Sequence, residues 1–275
     1  MPSAVGSAKN SVTPQEGIVF LMYHELEISG RPLCQTEAGY ARYVVRESDF
    51  RSQIQWLREA GWRGLSVTEA LAFRSRNGSA PPNAVAVTFD DGSESDLIFA
   101  APILKEARCS ATFFVTVGTL GQRGYMNPTQ LRELSALGFE IGCHSMTHAY
   151  LTDLDDRGLQ HEIGEGKTQL EQVLGKPVEH FSCPGGRCDA RVIQVARQAG
   201  YRSLANSRVH VNRPAGDHFD LGRVAILRET ELLAFQEICR GNSLWKIQVR
   251  EGVRSAAKHL LGNSLYDRGR AFLLR

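Results

Sequence analysis

Hydrophobic and polar positions along the chain alternate between short apolar runs and longer amphipathic stretches. Residues 17–23, GIVFLMY, and 85–89, VAVTF, have the length and the β-branched or aromatic content of buried strands. Residues 111–117, 139–143, 179–183, 201–205 and 220–227 predict further strands. Between them lie helix patterns. Residues 49–60 carry Phe50, Ile54 and Leu57 on one face, with Ser48 as a cap and Gly61 as a stop. Ser66 caps a second helix over 68–74, and further helices are predicted over 96–107, 129–137, 155–174, 190–199 and 229–240. Residues 30–46 read as one long loop and 77–83, NGSAPPN, as a turn.

Strands alternating with helices at this spacing predict roughly seven βα units in one parallel sheet, either a barrel or a doubly wound sheet. No linker divides them. The expected organisation is a flexible polar leader over 1–16, a single α/β domain over 17–240 and a separate extension over 241–275. In a parallel barrel the loops after the strands open on one face. His24, Asp90-Asp91, the segment His144 to His148 and Pro184-Gly185-Gly186 each follow a predicted strand, so these distant segments are expected to converge.

Asp90 and Asp91 are the sharpest chemical signal. Two carboxylates at the end of a buried strand are costly without a cationic partner, and Gly92 lets the backbone turn sharply after them. His144 and His148 share one face if that segment is helical, and a tight loop also brings them together. Two imidazoles and one carboxylate make a three-ligand site for zinc or another first-row metal, with positions left for water. The second carboxylate is then free to take a proton. Taken singly, an Asp-Asp pair also suits a turn before a helix, and two histidines four apart also suit a surface. Their joint placement at strand ends favours the metal site.

Composition narrows the picture further. The 275 residues are 42% hydrophobic and 23% charged, ordinary for a globular chain, and the net charge of +2 gives no reason to expect nucleic acid as a partner. The six cysteines form no CxxC pair and are expected as reduced thiols; a bridge between Cys183 and Cys188 is the one that spacing best permits. The first residues contain no apolar segment of signal-peptide length, which leads to a cytoplasmic expectation.

A family resemblance sharpens these readings. Thr88-Phe89-Asp90-Asp91-Gly92 and His144-Ser145-x-x-His148 resemble the first two motifs of the polysaccharide deacetylases, carbohydrate esterase family 4, also called the NodB-homology domain. Phe181 to Gly186 lies where the third motif belongs. Leu21-Met22-Tyr23-His24 and Leu221-Gly222-Arg223-Val224 resemble strands of the branch that modifies exopolysaccharides and cell-wall glycans. The resemblance covers about residues 17–227. It implies a distorted (β/α)7 TIM-like barrel, with Asp90 as catalytic base and Asp91, His144 and His148 as metal ligands. It also implies a divalent ion, zinc first with cobalt, nickel or iron as alternatives, and hydrolysis of N-acetyl groups on an N-acetylated glycan substrate. Backbone N–H groups around Pro184, Gly185 and Gly186 are the expected substrate-binding and oxyanion donors.

The sequence departs from the family pattern at several points. Ser182 and Gly185 stand where the third motif commonly carries an arginine and an aromatic residue, so Arg223 is assigned to orient Asp90. No match exists for the late leucine-histidine motif, and His24 is the substitute general acid; His210 and His218 fall in an expected loop. The altered third motif keeps two other readings open, a hydrolase of small cyclic amides or formyl-sugars and a catalytically inactive glycan-binding homologue. In the extension, Trp245, Val249, Val253 and Leu260 share a helical face beside Lys246, Arg250, Arg254 and Lys258. That basic amphipathic pattern suits packing on the barrel, or peripheral contact with the inner face of a membrane.

Overall fold

The computed structural model describes residues 17–249 apart from 28, 36–38, 78–80 and 243. Each predicted apolar run becomes a strand trimmed at its ends. The chain enters through β1 (Val19–Tyr23) and β2 (Glu25–Glu27), and β3 (Val44–Arg46) leads into α1 (Glu47–Glu59), β4 (Arg63–Leu65) and α2 (Val67–Asn77). Then follow β5 (Ala84–Phe89), α3 (Ala101–Glu106), β6 (Thr112–Val115), α4 (Pro128–Ala136) and β7 (Glu140–Cys143). The rest comprises α5 (Asp156–Leu159), α6 (Gly166–Leu174), β8 (His180–Ser182), α7 (Ala190–Gln198), β9 (Ser203–Ala205), β10 (Arg223–Ala225) and α8 (Leu232–Cys239). Single π-helical turns, Asp96–Ala100 and Gln160–Glu165, run directly into α3 and α6.

The main sheet is parallel, in the order β10-β1-β5-β6-β7-β8-β9, with β4 added beside β5. Its ends meet. Leu221, just before β10, bridges to Ala205 in β9, and Leu221 N–H donates to the Leu204 carbonyl at 3.0 Å. The result is a nearly closed seven-stranded barrel, as the family resemblance implies, and not a doubly wound sheet.

The period-2 alternation of the strands sorts their side chains into two compartments. Val19, Leu21, Val85, Val87, Phe89, Phe113, Val115, Ile141, Phe181 and Leu204 face the helices in the larger apolar core. Ile18, Phe20, Ala84, Ala86, Phe114, Ala205 and Leu221 form the smaller interior cluster. The polar residues of the strands, Thr88, Thr112, His180, Ser182 and Ser203, fall on that interior parity and are also buried. Gly142 belongs to the same face, where an added Cβ would lie 2.4 Å from the Phe114 ring.

Two expectations are corrected, and a strand has no counterpart in the sequence reading. Residues 30–46 are not one loop, because a 3-10 turn (Tyr40–Tyr43) and β3 lie within them, and β3 pairs with β2. β4 was not foreseen, since three residues are too few to show a period. Ser48 lies inside α1, whose N-cap is Arg46. All six cysteines are free, including Cys183 and Cys188. Residues 244–249 are helical, but Leu244 and Ile247 pack on the core while Trp245 and Val249 are 62% and 59% exposed. The leader over 1–16 and the Arg250, Val253, Arg254, Lys258 and Leu260 part of the extension lie outside the described residues. Among the described residues no helix is long and apolar enough to cross a membrane.

Candidate active site and metal centre

β5 delivers Asp90 and Asp91 to the open end of the barrel, and β7 delivers His144. Asp91 Oδ1 lies 3.5 Å from His144 Nε2 and 3.4 Å from His148 Nε2. One ligand atom from each of the three residues falls within 4.8 Å of the others. The expected ligand set therefore assembles. The segment from His144 to His148 is a tight loop, not a helix, and its backbone is unusual. Asp91, Ser145 and His148 have φ of 78°, 67° and 66°, three of the five positive-φ non-glycine residues among those described. Such conformations cost roughly 1–3 kcal/mol each and persist where the surroundings enforce them. Here Ser145 Oγ accepts from His148 N–H at 2.9 Å, and the buried Glu162 accepts from Thr147 N–H and Oγ1–H at 2.8 and 2.6 Å.

The donor chemistry fits a metal ion. Asp91 Oδ1 is buried and has no hydrogen-bond partner. An orphaned anionic oxygen between two imidazole nitrogens is costly unless a cation occupies the centre. His144 Nδ1 faces the Ser182 carbonyl at 2.9 Å; a carbonyl only accepts, so Nδ1 carries the proton and Nε2 keeps its lone pair for the metal. Burial lowers the His144 pKa to about 4, outweighing the carboxylates of Asp90 and Asp91, so the ring is neutral near pH 7. Burial raises the Asp91 pKa, but His148, His24 and His144 outweigh it and hold the carboxyl ionised.

Asp90 is clamped from the interior. Arg223, fully buried on β10, donates from Nη1 to Oδ1 and from Nη2 to Oδ2, both at 2.7 Å. Its remaining donors reach Thr88 Oγ1 at 3.2 Å, Ser182 Oγ at 2.7 Å and the Asn206 carbonyl at 3.2 Å. A planar guanidinium with every N–H satisfied fixes the carboxylate plane. Burial pushes the Asp90 pKa up, and Arg223 with His144 brings it net below the usual carboxylate range. Asp90 Oδ2 lies 3.8 Å from His144 Nε2, so this carboxylate borders the metal centre.

The other predicted residues fall into place unevenly. His24, at the end of β1, packs its ring 4.8 Å from Tyr43. Its Nδ1 is buried without a partner. Burial lowers its pKa, although the nearby Asp91 and Asp90 carboxylates act the other way. Pro184 has no N–H to donate, and the Gly186 N–H is spent on the Cys183 carbonyl at 2.8 Å. Both are therefore corrected as oxyanion donors, leaving Gly185. Residues without a sequence signal also enter: Gln35 Nε2 donates to Asp91 Oδ2 at 3.3 Å, and Ser182 contributes both its carbonyl and its hydroxyl.

The parallel barrel thus holds one aspartate and two histidines at the outlet of its strands, a set that could hold a metal ion, with a second aspartate clamped beside them. Residues 77–204 match the model of the polysaccharide deacetylase family. A peptidoglycan-N-acetylglucosamine deacetylase of Bacillus cereus is 32% identical over 121 residues, 44% of this chain and 54% of that protein. A poly-beta-1,6-N-acetyl-D-glucosamine N-deacetylase of Staphylococcus aureus is 26% identical over 198 residues, 67% of this chain and 68% of that protein. Among solved structures, IcaB from Ammonifex degensii matches with a TM-score of 0.70 at 26% identity, covering 82% of this chain and 98% of that one. The chain spans 61% and 54% of the lengths of the Bacillus subtilis and Bacillus cereus relatives it matches.

Proposed function

We propose that this protein is a metal-dependent hydrolase that removes N-acetyl groups from the amino sugars of a glycan. The observation that carries the reading is the orphaned Asp91 Oδ1 facing two imidazole Nε2 atoms, with the Asp90 carboxylate clamped alongside. The family relationship and the names of the relatives support the substrate class. Two nitrogens and one oxygen suit zinc, with cobalt, nickel and iron as the alternatives to test.

A divalent ion held by Asp91, His144 and His148 supplies Lewis acidity toward the acetyl carbonyl and lowers the pKa of water toward neutrality. The chain's own residues do the rest. Asp90, ionised because Arg223 stabilises its charge, takes a proton as water adds to the acetyl carbon. Arg223 holds the carboxylate in one plane throughout. The exposed Gly185 is the remaining backbone donor for the developing oxyanion. When the C–N bond breaks, the amine nitrogen needs a proton. His24 donates it only from its imidazolium form, and its lowered pKa makes the neutral ring the resting state. The proton held by Asp90 is the other source.

The test is acetate release from a panel of N-acetylated oligosaccharides, after chelation and re-addition of each metal. Turnover restored by zinc, and lowered in Asp90→Asn by about 10²–10⁴-fold, is the expected result. An Asp90→Asn protein as active as wild type would remove the assigned base.

A further inference from the structure

The loop after His148 carries a feature that the chemistry above does not use. Tyr150 follows His148 by two residues and is 39% exposed, while its neighbour Leu151 is fully buried and anchors the backbone. The Tyr150 carbonyl accepts from Asp153 N–H at 3.0 Å in the turn that follows. The Arg187 guanidinium sits over the Tyr150 ring, 3.7 Å from its centroid, and reaches the Asp153 carboxylate at 3.6 Å. On its edge the ring meets Gly185. A Cβ built on Gly185 would lie 2.8 Å from Tyr150 Cε1, so a side chain at 185 and the tyrosine in this position exclude one another. Gly185 also has φ of 60°, which a glycine adopts without strain.

An exposed aromatic ring fixed by a cation on one face and by backbone at its edge is a pre-organised surface. It costs little ordering entropy when a ligand settles on it. Its position is constrained by chain geometry: two peptide units span at most about 7 Å, so Tyr150 Cα lies within that distance of His148 Cα. A pyranose ring presents an apolar C–H face matching a flat aromatic, and Tyr adds a polar hydroxyl at the rim.

Resting on the deacetylase reading, we propose that Tyr150 is the sugar platform of this site. It stacks against the pyranose that carries the acetamido group or its immediate neighbour, with Arg187 holding the ring and Gly185 giving it room. Specificity for the glycan then comes from the loop after β7, which also carries His148, with the β8 loop contributing the Gly185 backbone at the ring's edge and the Arg187 guanidinium over one face.

The experiment uses tetramers of N-acetylglucosamine, β-1,4- and β-1,6-linked, with the zinc-loaded full chain. Tyr150→Ala is expected to raise KM by about tenfold, whereas Tyr150→Phe and Tyr150→Trp keep it within about threefold. Zinc affinity, read by competition with a chromophoric chelator, is expected to match wild type in all three. Calorimetric binding of the tetramers to Asp90→Asn, with and without Tyr150→Ala, supplies a readout without turnover. A KM within twofold of wild type in Tyr150→Ala, or equal tetramer binding in the two Asp90→Asn proteins, would overturn the platform while leaving the deacetylase reading intact. If wild type releases no acetate and Asp90→Asn binds no tetramer, the deacetylase reading fails and the platform fails with it.

Discussion

At the scale of single residues, the barrel interior holds charges that would not survive there alone. Arg223 and Asp90 are buried and satisfy each other through two hydrogen bonds at 2.7 Å. Removing one member of such a pair leaves an uncompensated charge, so Arg223→Met is expected to destabilise the fold by about 3–5 kcal/mol in denaturant titration. Arg223→Lys keeps the charge but has three donors for five positions, and is expected to recover only part of the loss. Asp96 behaves oppositely. It is fully buried, neither oxygen has a partner, and burial together with Asp91, Glu25 and Asp90 raises its pKa well above the usual value. Because the folded pKa lies above the unfolded one, Asp96 must take up a proton on folding once the pH exceeds its unfolded pKa. That cost grows with pH until the folded pKa is reached. Asp96→Asn removes it, and is expected to stabilise the protein at pH 7 by about 1–2 kcal/mol and to raise Tm by a few degrees, with no gain at pH 3. An unchanged Tm at pH 7 would refute the neutral-acid assignment.

At the scale of elements, the strand ends that carry chemistry were readable because each closes an apolar run. Asp90, Asp91 and His144 stand out against the buried residues before them, and His148 follows at a ligand-like spacing. What stayed hidden depends on contacts across sequence distance. Ser182 meets His144 from 38 positions away, whereas Arg223, which meets Asp90 from 133 positions away, is reached from the sequence only through the family resemblance and not from any local pattern. Nothing in the local pattern of 30–46 announces that Gln35 reaches Asp91. The short β2, β3 and β4 fail for a different reason, since three residues cannot display an alternation. The closed end of the barrel holds another unannounced network. Glu140 at the start of β7 accepts from Val67 and Thr68 N–H at 3.1 and 3.3 Å and from Thr112 Oγ1, and lies 3.5 Å from His180. Burial alone raises its pKa, but His180 and the other donors bring it down to about 2. A depressed carboxyl pKa stabilises the fold above the unfolded value and loses that contribution as pH falls through the folded one. Glu140→Gln is therefore expected to cost about 2 kcal/mol at pH 7, with the gap to wild type closing between about pH 4.5 and 2.

At the scale of the whole molecule, barrel closure gathers the site. β5 and β7 are separated by β6 in the sheet, β10 reaches Asp90 across β1, and the bridge of Leu221 to β9 brings Ser182 and Asn206 onto the same Arg223 guanidinium. An ion bound by Asp91, His144 and His148 thus ties the β5 and β7 outlets together, and the unfolded chain presents no such site. Ligand binding to the folded state alone adds RT ln(1 + [L]/Kd), about 4 kcal/mol at a thousandfold excess over Kd. For a domain of this size that corresponds to roughly 10 °C in Tm. Wild type saturated with zinc is therefore expected to lose about that much on chelation and to regain it on re-addition. His148→Ala removes one of three ligands and is expected to show a much smaller shift. Because His148 is 37% exposed, its truncation opens no core cavity, so the zinc-free proteins should melt close together. If wild type and His148→Ala respond alike to chelation, the ion is held elsewhere and the three-residue centre is wrong.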